Sequence, residues 1–324
     1  MIRAIGVPAP GAFDKLQPVE VEVPAPASGQ IIVRVVAAAV NPADNKVLRG
    51  ELAGRVLHAF TRPLVTGYDF SGVVEACGPD VDDLKPGDEV FGFLPYSSRT
   101  RGGAFAERLV ANRAAVARKP AAITHEIAAA AATPGITALQ AMRDKGRLRA
   151  GGRLLVIGAA GGVGSLAVAV ARAWLGTDVH IAAICSTYAV DFVRGLGADD
   201  VIDRKVTDPR TVPGPFDVIF DTSAAYGYRE MRHQLAPGGA YVTTLPTLGW
   251  LGGKVLAAAS RKRCHMFIVT PRADDFEKLA AFIAAGMPVP IDTRYPVREL
   301  GKALDQLARG QVRGRIAIDV AAGW

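Results

Sequence analysis

The stretch LLVIGAAGGVGSLAVAVARAW, residues 154–174, carries one charge, Arg172, near its far end. Its apolar character fits a membrane span, a buried core helix or the wall of a nucleotide site, and its glycines decide among them. Gly158, Gly161, Gly162 and Gly164 break up the first half, and a turn held in lipid would leave backbone polar groups unsatisfied. RLLVIGA (153–159) reads instead as a short buried strand and GVGSLAVAVARAW (162–174) as a helix. On that helix Val163, Leu166, Ala167, Val170 and Trp174 recur at three- and four-residue intervals, which builds one apolar face. Glycines where a strand turns into a helix permit a tight turn, let the backbone approach a pyrophosphate and let the helix pack closely. The helix N-terminus then offers N–H groups and a partial positive charge. Gly158, Gly161, Gly162, Val163 and Gly164 are therefore expected to cradle the phosphates of a dinucleotide.

The next strand decides which dinucleotide. Counting about 20 residues on for a ribose-binding acid reaches Asp178, but Asp178 opens the strand DVHIAAICS (178–186) and does not close it. The strand ends in Cys185-Ser186-Thr187-Tyr188, with no carboxylate for the two ribose hydroxyls of NAD. The hydroxyls of Ser186 and Thr187, with Arg204 after the third strand, suit a 2′-phosphate. NADP(H) is the expected cofactor.

Outward from this turn, strand and helix patterns alternate. AVDFVRGLGA (189–198) reads as a helix, DDVIDR (199–204) and FDVIFDTSA (216–224) as strands, YREMRHQLAPGG (228–239) as a helix, and AYVTTLP (240–246) and MFIVTP (266–271) as strands. Such alternation indicates βαβ units and a doubly wound parallel sheet. The first 120 residues differ: QIIVRVVAAAV (30–40), FSGVVEACG (70–78) and KPGDEVFGF (85–93) are short strands separated by turn residues. Thr124 in THEIAAAAAT caps an Ala-rich helix. The closing strand RIAIDV (315–320) has no obvious place in the parallel sheet.

With 324 residues, 50% of them hydrophobic and 21% charged, the chain has the material for two folded domains. A formal charge of +7 raises the question of polyanions. The basic runs RDKGRLR (143–149), SRKRCH (260–265) and ARGQVRGR (308–315) accompany no nucleic-acid motif, so a solvated basic surface and a phosphate-bearing ligand account for them. The three cysteines lie far apart with no CxxC, against both a disulfide framework and a zinc cluster, and the five histidines show no ligand spacing. The opening MIRAIGVPAPGAF lacks a secretory h-region, so the cytoplasm is expected, with neither a nucleic acid nor a membrane as partner.

VNPADNKVLRG (40–50), GYDFSGVVEACGPDVDDLKPGDEVFGF (67–93), GGAFAE (102–107), GAAGGVGS (158–165), LGADDVID (196–203) and GRIAIDV (314–320) together resemble, in order, the signatures of medium-chain dehydrogenases/reductases. The branch most similar is that of the zinc-independent quinone oxidoreductases. The resemblance implies a GroES-like β-rich domain (1–121 and 289–324) plus a Rossmann doubly wound parallel-sheet domain (122–288), with the cofactor in the cleft between them. It also implies a homodimer that pairs the last Rossmann strands, here MFIVTP. Where the zinc-dependent branch has a Cys and a His-Glu pair, this chain has Asn41 and Tyr68-Asp69. A catalytic zinc needs three good ligands, so no metal is expected.

Hydride transfer to a quinone or to the β-carbon of an enone leaves negative charge on a carbonyl oxygen, which needs hydrogen-bond donors and then a proton. At the vacated zinc-ligand positions, Asn41 is the expected amide donor and Tyr68 a donor of a hydrogen bond or a proton. By resemblance, Thr137 in TPGITALQAM, Thr222 and Ser223 after FDVIFD, and Thr244-Leu245 border the nicotinamide, and Arg315 faces the phosphates. The expected activity is NADPH-dependent, zinc-independent reduction of quinones or other α,β-unsaturated carbonyls. Two alternatives stand beside it: an enoyl-thioester reductase, although no Tyr occurs between Asn41 and Tyr68, and a non-catalytic NADPH-binding regulatory protein. The loops 48–63 and 245–259 are the expected substrate walls.

Overall fold

The β-branched run that begins at Gln30 forms the organising strand of the N-terminal region. The computed structural model describes residues 1–51, 61–96, 102–244 and 248–324, without the side chains of 248, 249 and 251. After β1 (Ile2–Gly6) and β2 (Gln17–Val21), which pair with each other as a two-stranded sheet, β3 (Gln30–Ala39) runs antiparallel to β4 (Asp69–Cys77). Strands β5 (Glu89–Phe93), β6 (Arg108–Asn112) and β7 (Val116–Arg118) extend this sheet, β6 covering the first half of β3 at Gln30–Arg34. Helix α1 (Pro42–Leu48) leaves β3 directly, Pro42 sitting at the first helical position, where its missing N–H costs nothing. Helix α2 (His125–Gln140) begins after Thr124, whose hydroxyl accepts the Ile127 N–H at 3.4 Å.

The strand and helix pattern of the middle of the chain folds as read. Strands β8 (Arg153–Ile157), β9 (His180–Cys185), β10 (Asp200–Asp203), β11 (Phe216–Asp221), β12 (Leu235–Thr243) and β13 (Arg263–Met266) form one parallel sheet in the order β10-β9-β8-β11-β12-β13. This is the doubly wound nucleotide-binding order, which reverses between β8 and β11. Helices α3 (Gly162–Leu175), α4 (Val190–Gly195), α5 (Tyr228–Met231) and α6 (Leu248–Ala259) connect its strands. Two expectations are corrected. The helix expected over 228–239 stops at Met231, and β12 begins at Leu235, bulged where its register against β11 shifts between Phe216 and Val218. The last strand is Arg263–Met266, not MFIVTP: the Arg263 guanidinium bonds the carbonyls of Lys145 (2.8 Å) and Gly146 (3.0 Å), anchoring the more polar segment in the sheet.

Beyond β13 come α7 (Ala273–Ala284), β14 (Ile291–Pro296), α8 (Leu300–Arg309) and β15 (Arg315–Asp319). β15 is RIAIDV, and it belongs to the first sheet: it pairs antiparallel with Ala37–Ala39 of β3 and parallel with β14. The molecule is thus a GroES-like β-rich unit plus a Rossmann unit. By contacts the first comprises Met1–Thr133, Thr270–Ala284 and Pro290–Trp324, and the second Pro134–Val269 and Ala285–Val289. These limits differ from the expected 121/122 and 288/289, chiefly because α7 packs with the first unit, where Phe276 meets Phe91 (centroids 6.0 Å apart, edge-on) and Phe93 (5.4 Å). Among the described residues no helix is long and apolar enough to cross a membrane. Since Phe276 is fully buried, Phe276→Ala is expected to lower stability by about 3–5 kcal/mol, read as an earlier midpoint in urea unfolding.

Candidate active site

In the Rossmann unit the glycine turn is built for close approach. Gly158 has φ +81°, and a Cβ there would lie 2.9 Å from the Thr222 hydroxyl; a Cβ on Gly164 would lie 2.1 Å from the Gly158 carbonyl. Both glycines are demanded by the chain's own packing. Gly161 is not: its φ is −78°, and a Cβ would meet only the Gly158 carbonyl at 3.6 Å, an ordinary contact. A smaller-than-Ala residue at that exposed edge fits a phosphate group lying over the turn. α3 starts at Gly162, and the Gly162, Val163 and Gly164 amides belong to its first turn, where N–H groups have no intrahelical partner. These residues fit a dinucleotide pyrophosphate.

At the carboxyl ends of the strands lie Ser186, Arg204, Thr222 and Ser223. The parallel register pairs Asp203 with Cys185, which brings Arg204 beside Ser186. The Arg204 backbone N–H donates to the Cys185 carbonyl (3.0 Å) and its Nε to the Ser186 hydroxyl (2.8 Å). Arg204 and Thr187 are exposed. The Thr222 hydroxyl donates to the Ile157 carbonyl (2.8 Å), tying the end of β11 to the start of the glycine turn, and Ser223 caps Asp221 with its N–H and hydroxyl, each at 3.0 Å. Thr137 is buried on α2 and Thr244 half-buried after β12. Leu245 lies outside the described residues, as do 52–60 of one expected substrate wall and 245–247 of the other.

In the β-rich unit, Asn41 ends β3 in extended conformation (φ −119°, ψ 153°) and Asp69 opens β4, so that the two side chains meet. The Asn41 amide donates to Asp69 Oδ2 (2.8 Å), and its carbonyl oxygen accepts from Arg315 Nη1 (2.9 Å). Arg315 Nη2 forms an ion pair with Asp69 Oδ2, and the Thr133 backbone N–H donates to Asp69 Oδ1 (2.8 Å). The side chains of Arg315 and Asp69 are 3% and 0% exposed. Burial pushes the Asp69 carboxyl above its ordinary range, and Arg315, Thr133 and Asn41 oppose that push. Arg315 is buried, with Nη1 and Nη2 engaged by Asn41 and Asp69, while its Nε has no hydrogen-bond partner among the described residues.

This arrangement does not suit a divalent cation. A guanidinium already neutralises the Asp69 carboxylate, both Asp69 oxygens accept hydrogen bonds, and the Asn41 oxygen faces a positive charge. Among the described residues no group of three His, Cys, Asp or Glu side chains is placed to hold a metal ion. What remains is a rigid amide: of the two Asn41 side-chain N–H hydrogens, the bond to Asp69 uses one. The Tyr68 ring is buried against Tyr96, centroids 4.1 Å apart. Burial, with Asp44 adding to it, raises the Tyr68 phenol well above its ordinary range, so it stays protonated and suits hydrogen-bond donation better than proton release.

The sequence reading passed over Asp44 and Tyr96 and weighed Asp69 only as a metal ligand. Asp44 had a local signal, an acid three residues after Asn41 at a helix start; its carboxylate accepts the Asn41 N–H at 2.7 Å. Asp69 and Arg315 lie 246 positions apart, and no local pattern joins them. Arg315→Met is expected to lower stability by about 3–5 kcal/mol, because it leaves Asp69 buried without its counter-charge. Pairing it with Asp69→Leu should recover part of that loss in urea unfolding.

Comparison with known proteins identifies the family of the fold. The alcohol dehydrogenase GroES-like domain family matches residues 27–121 and the zinc-binding dehydrogenase family residues 196–318. The chain is 29% identical over 325 residues to a chloroplastic quinone-oxidoreductase homolog of Spinacia oleracea, covering 95% of each protein. It is 33% identical over 332 residues to a mitochondrial NAD(P)H oxidoreductase of Homo sapiens, covering 90% of this chain and 82% of the relative. The solved structure of the quinone oxidoreductase from Coxiella burnetii superposes with a TM-score of 0.87 at 25% identity, over 98% of this chain and 99% of that one. The chain belongs to the medium-chain dehydrogenase/reductase superfamily, in its quinone-oxidoreductase-like branch, and is an NAD(P)H oxidoreductase.

Proposed function

We propose that this enzyme reduces quinones or other α,β-unsaturated carbonyl compounds with NADPH, without a metal. The observation that carries the reading is the Asn41 amide, locked on one side by Asp69 and on the other by Arg315. Its remaining N–H offers a fixed donor to a carbonyl oxygen where the fold would otherwise place a Lewis acid. Hydride addition puts negative charge on that oxygen, and a donor that need not reorganise stabilises it most in the transition state. The nicotinamide, when bound, supplies the hydride. The chain's contribution is to hold the pyrophosphate at Gly161–Gly164, orient the acceptor through Asn41 and line the site with the protonated phenol of Tyr68.

Preference for NADPH rests on Arg204. With Nε spent on Ser186, its two Nη groups form a fork suited to a phosphate, and Lys205 adds a second exposed cation. A homodimer is part of the same reading: β13 ends the parallel sheet, and Ile268 just beyond it is 67% exposed, which suits strand pairing with a second copy.

The test is loss of the near-ultraviolet absorbance of NADPH and NADH in the presence of quinones, enals and enoyl-CoA thioesters. Faster turnover of quinones or enals with NADPH is expected. Turnover confined to thioesters would move the assignment to enoyl reduction, and tight NADPH binding without turnover of any acceptor would overturn it. Arg204→Ala should raise the KM for NADPH about tenfold, the loss of roughly 1.4 kcal/mol, and leave the KM for NADH nearly unchanged.

A further inference from the structure

Asp44 is fully buried at the third position of α1, and no step of the reduction requires it to touch substrate. Its two oxygens serve two separate segments. Oδ2 accepts the Asn41 N–H (2.7 Å), and Oδ1 accepts the N–H of Gly67 (2.8 Å), 23 positions further along. Gly67 is itself fixed: its φ is +101°, its carbonyl accepts the Ala104 N–H at 2.8 Å, and a Cβ would lie 2.8 Å from the Phe105 nitrogen. The next residues are Tyr68, whose carbonyl accepts the Leu94 N–H (2.8 Å), and Asp69, which holds the Asn41 amide. One carboxylate thus spans the start of the helix that carries Asn41 and the segment that carries Tyr68 and Asp69.

We propose that Asp44 is a positioning residue of the reduction, its carboxylate setting the separation of Asn41 from Tyr68 and Asp69 by accepting from both segments at once. The proposal rests on the reductase reading above. Protonation converts one carboxylate oxygen into a hydroxyl, a much poorer acceptor than a charged oxygen; one of the two N–H bonds is then weakened and the span loosens. The charged and titratable groups around Asp44 are Asp69, Tyr68 and Tyr96, with Arg315 neutralising Asp69. Burial, opposed by the two backbone N–H bonds and aided by the Asp69 charge, pushes the Asp44 carboxyl up to about 7. The loosening of the span therefore falls near neutral pH.

Activity and stability then run in opposite directions. The native state binds the Asp44 proton more tightly than the unfolded chain does, so its stabilising effect is complete below the unfolded carboxyl range and is lost as pH rises through about 7. The competent carboxylate appears over that same rise. A purely structural residue would not give activity that grows while stability declines.

The experiment measures kcat, KM for NADPH and melting temperature between about pH 5.5 and 9 for the wild type, Asp44→Asn and Asp44→Glu. The wild type should show an acid limb in kcat with its midpoint near 7 and a melting temperature that drifts down across that limb. Asp44→Asn should lose the limb and the drift, with kcat about tenfold lower or more and KM for NADPH unchanged. Asp44→Glu keeps a carboxylate one methylene out of place, so it should retain a limb at a displaced midpoint with reduced kcat; this variant decides the matter if Asp44→Asn fails to fold. An active wild type with no acid limb, or an Asp44→Asn protein that keeps the limb or full kcat, overturns the role of Asp44. A wild type that oxidises NADPH with no acceptor at any pH overturns the reductase reading itself.

Discussion

A guanidinium that is 3% exposed, facing a carboxylate that is fully buried, is the constraint around which the β-rich unit is arranged. Removing two charges from water is costly, and the cost is met only where every lone pair and proton finds a partner. Asp69 finds Arg315, the Asn41 amide and the Thr133 N–H; those partners come from β15, the end of β3 and helix α2. Each of these elements is held where the ion pair needs it. The arrangement that satisfies Asp69 also fixes the Asn41 amide, which is the group the proposed reduction calls on. Structural satisfaction and chemical readiness are one set of bonds.

The Rossmann unit follows a different logic, in which vacancy is the useful property. Gly158 and Gly164 are small because the chain would collide with itself otherwise, while at Gly161 the chain's own packing leaves room for a Cβ. The carboxyl end of β9 holds no acid, and the acid that ends β10, Asp203, accepts the Lys205 N–H at 2.8 Å.

Local features were legible in the residues themselves. The β8–turn–α3 unit, the cap at Thr124 and the meeting of Ser186 with Arg204 all depend on short spacings and strand ends, and each stands where the pattern put it. The failures have physical reasons. MFIVTP is more apolar than RCHM, yet backbone carbonyls at 145 and 146 hold Arg263 and with it the polar segment in the sheet. YREMRHQL has a helical rhythm, but β11 draws Leu235 into register opposite Phe216, ending the helix early. The pairing of Arg315 with Asp69 was not legible because the two lie 246 residues apart, and only the folded sheet brings them together.

β15 lines the second half of β3 at Ala37–Ala39, opposite the half covered by β6. The sheet begun by β3 is therefore completed by a strand that follows the whole Rossmann sheet in the chain. During synthesis the Rossmann sheet, whose strands all lie between Arg153 and Met266, is in hand before Arg315 leaves the ribosome. Until that moment the nascent β-rich unit has an open strand edge and an acid at position 69 with no counter-charge, the kind of surface that chaperones recognise. The order of translation thus delivers every strand of the Rossmann sheet before the β-rich unit receives the counter-charge of its buried acid.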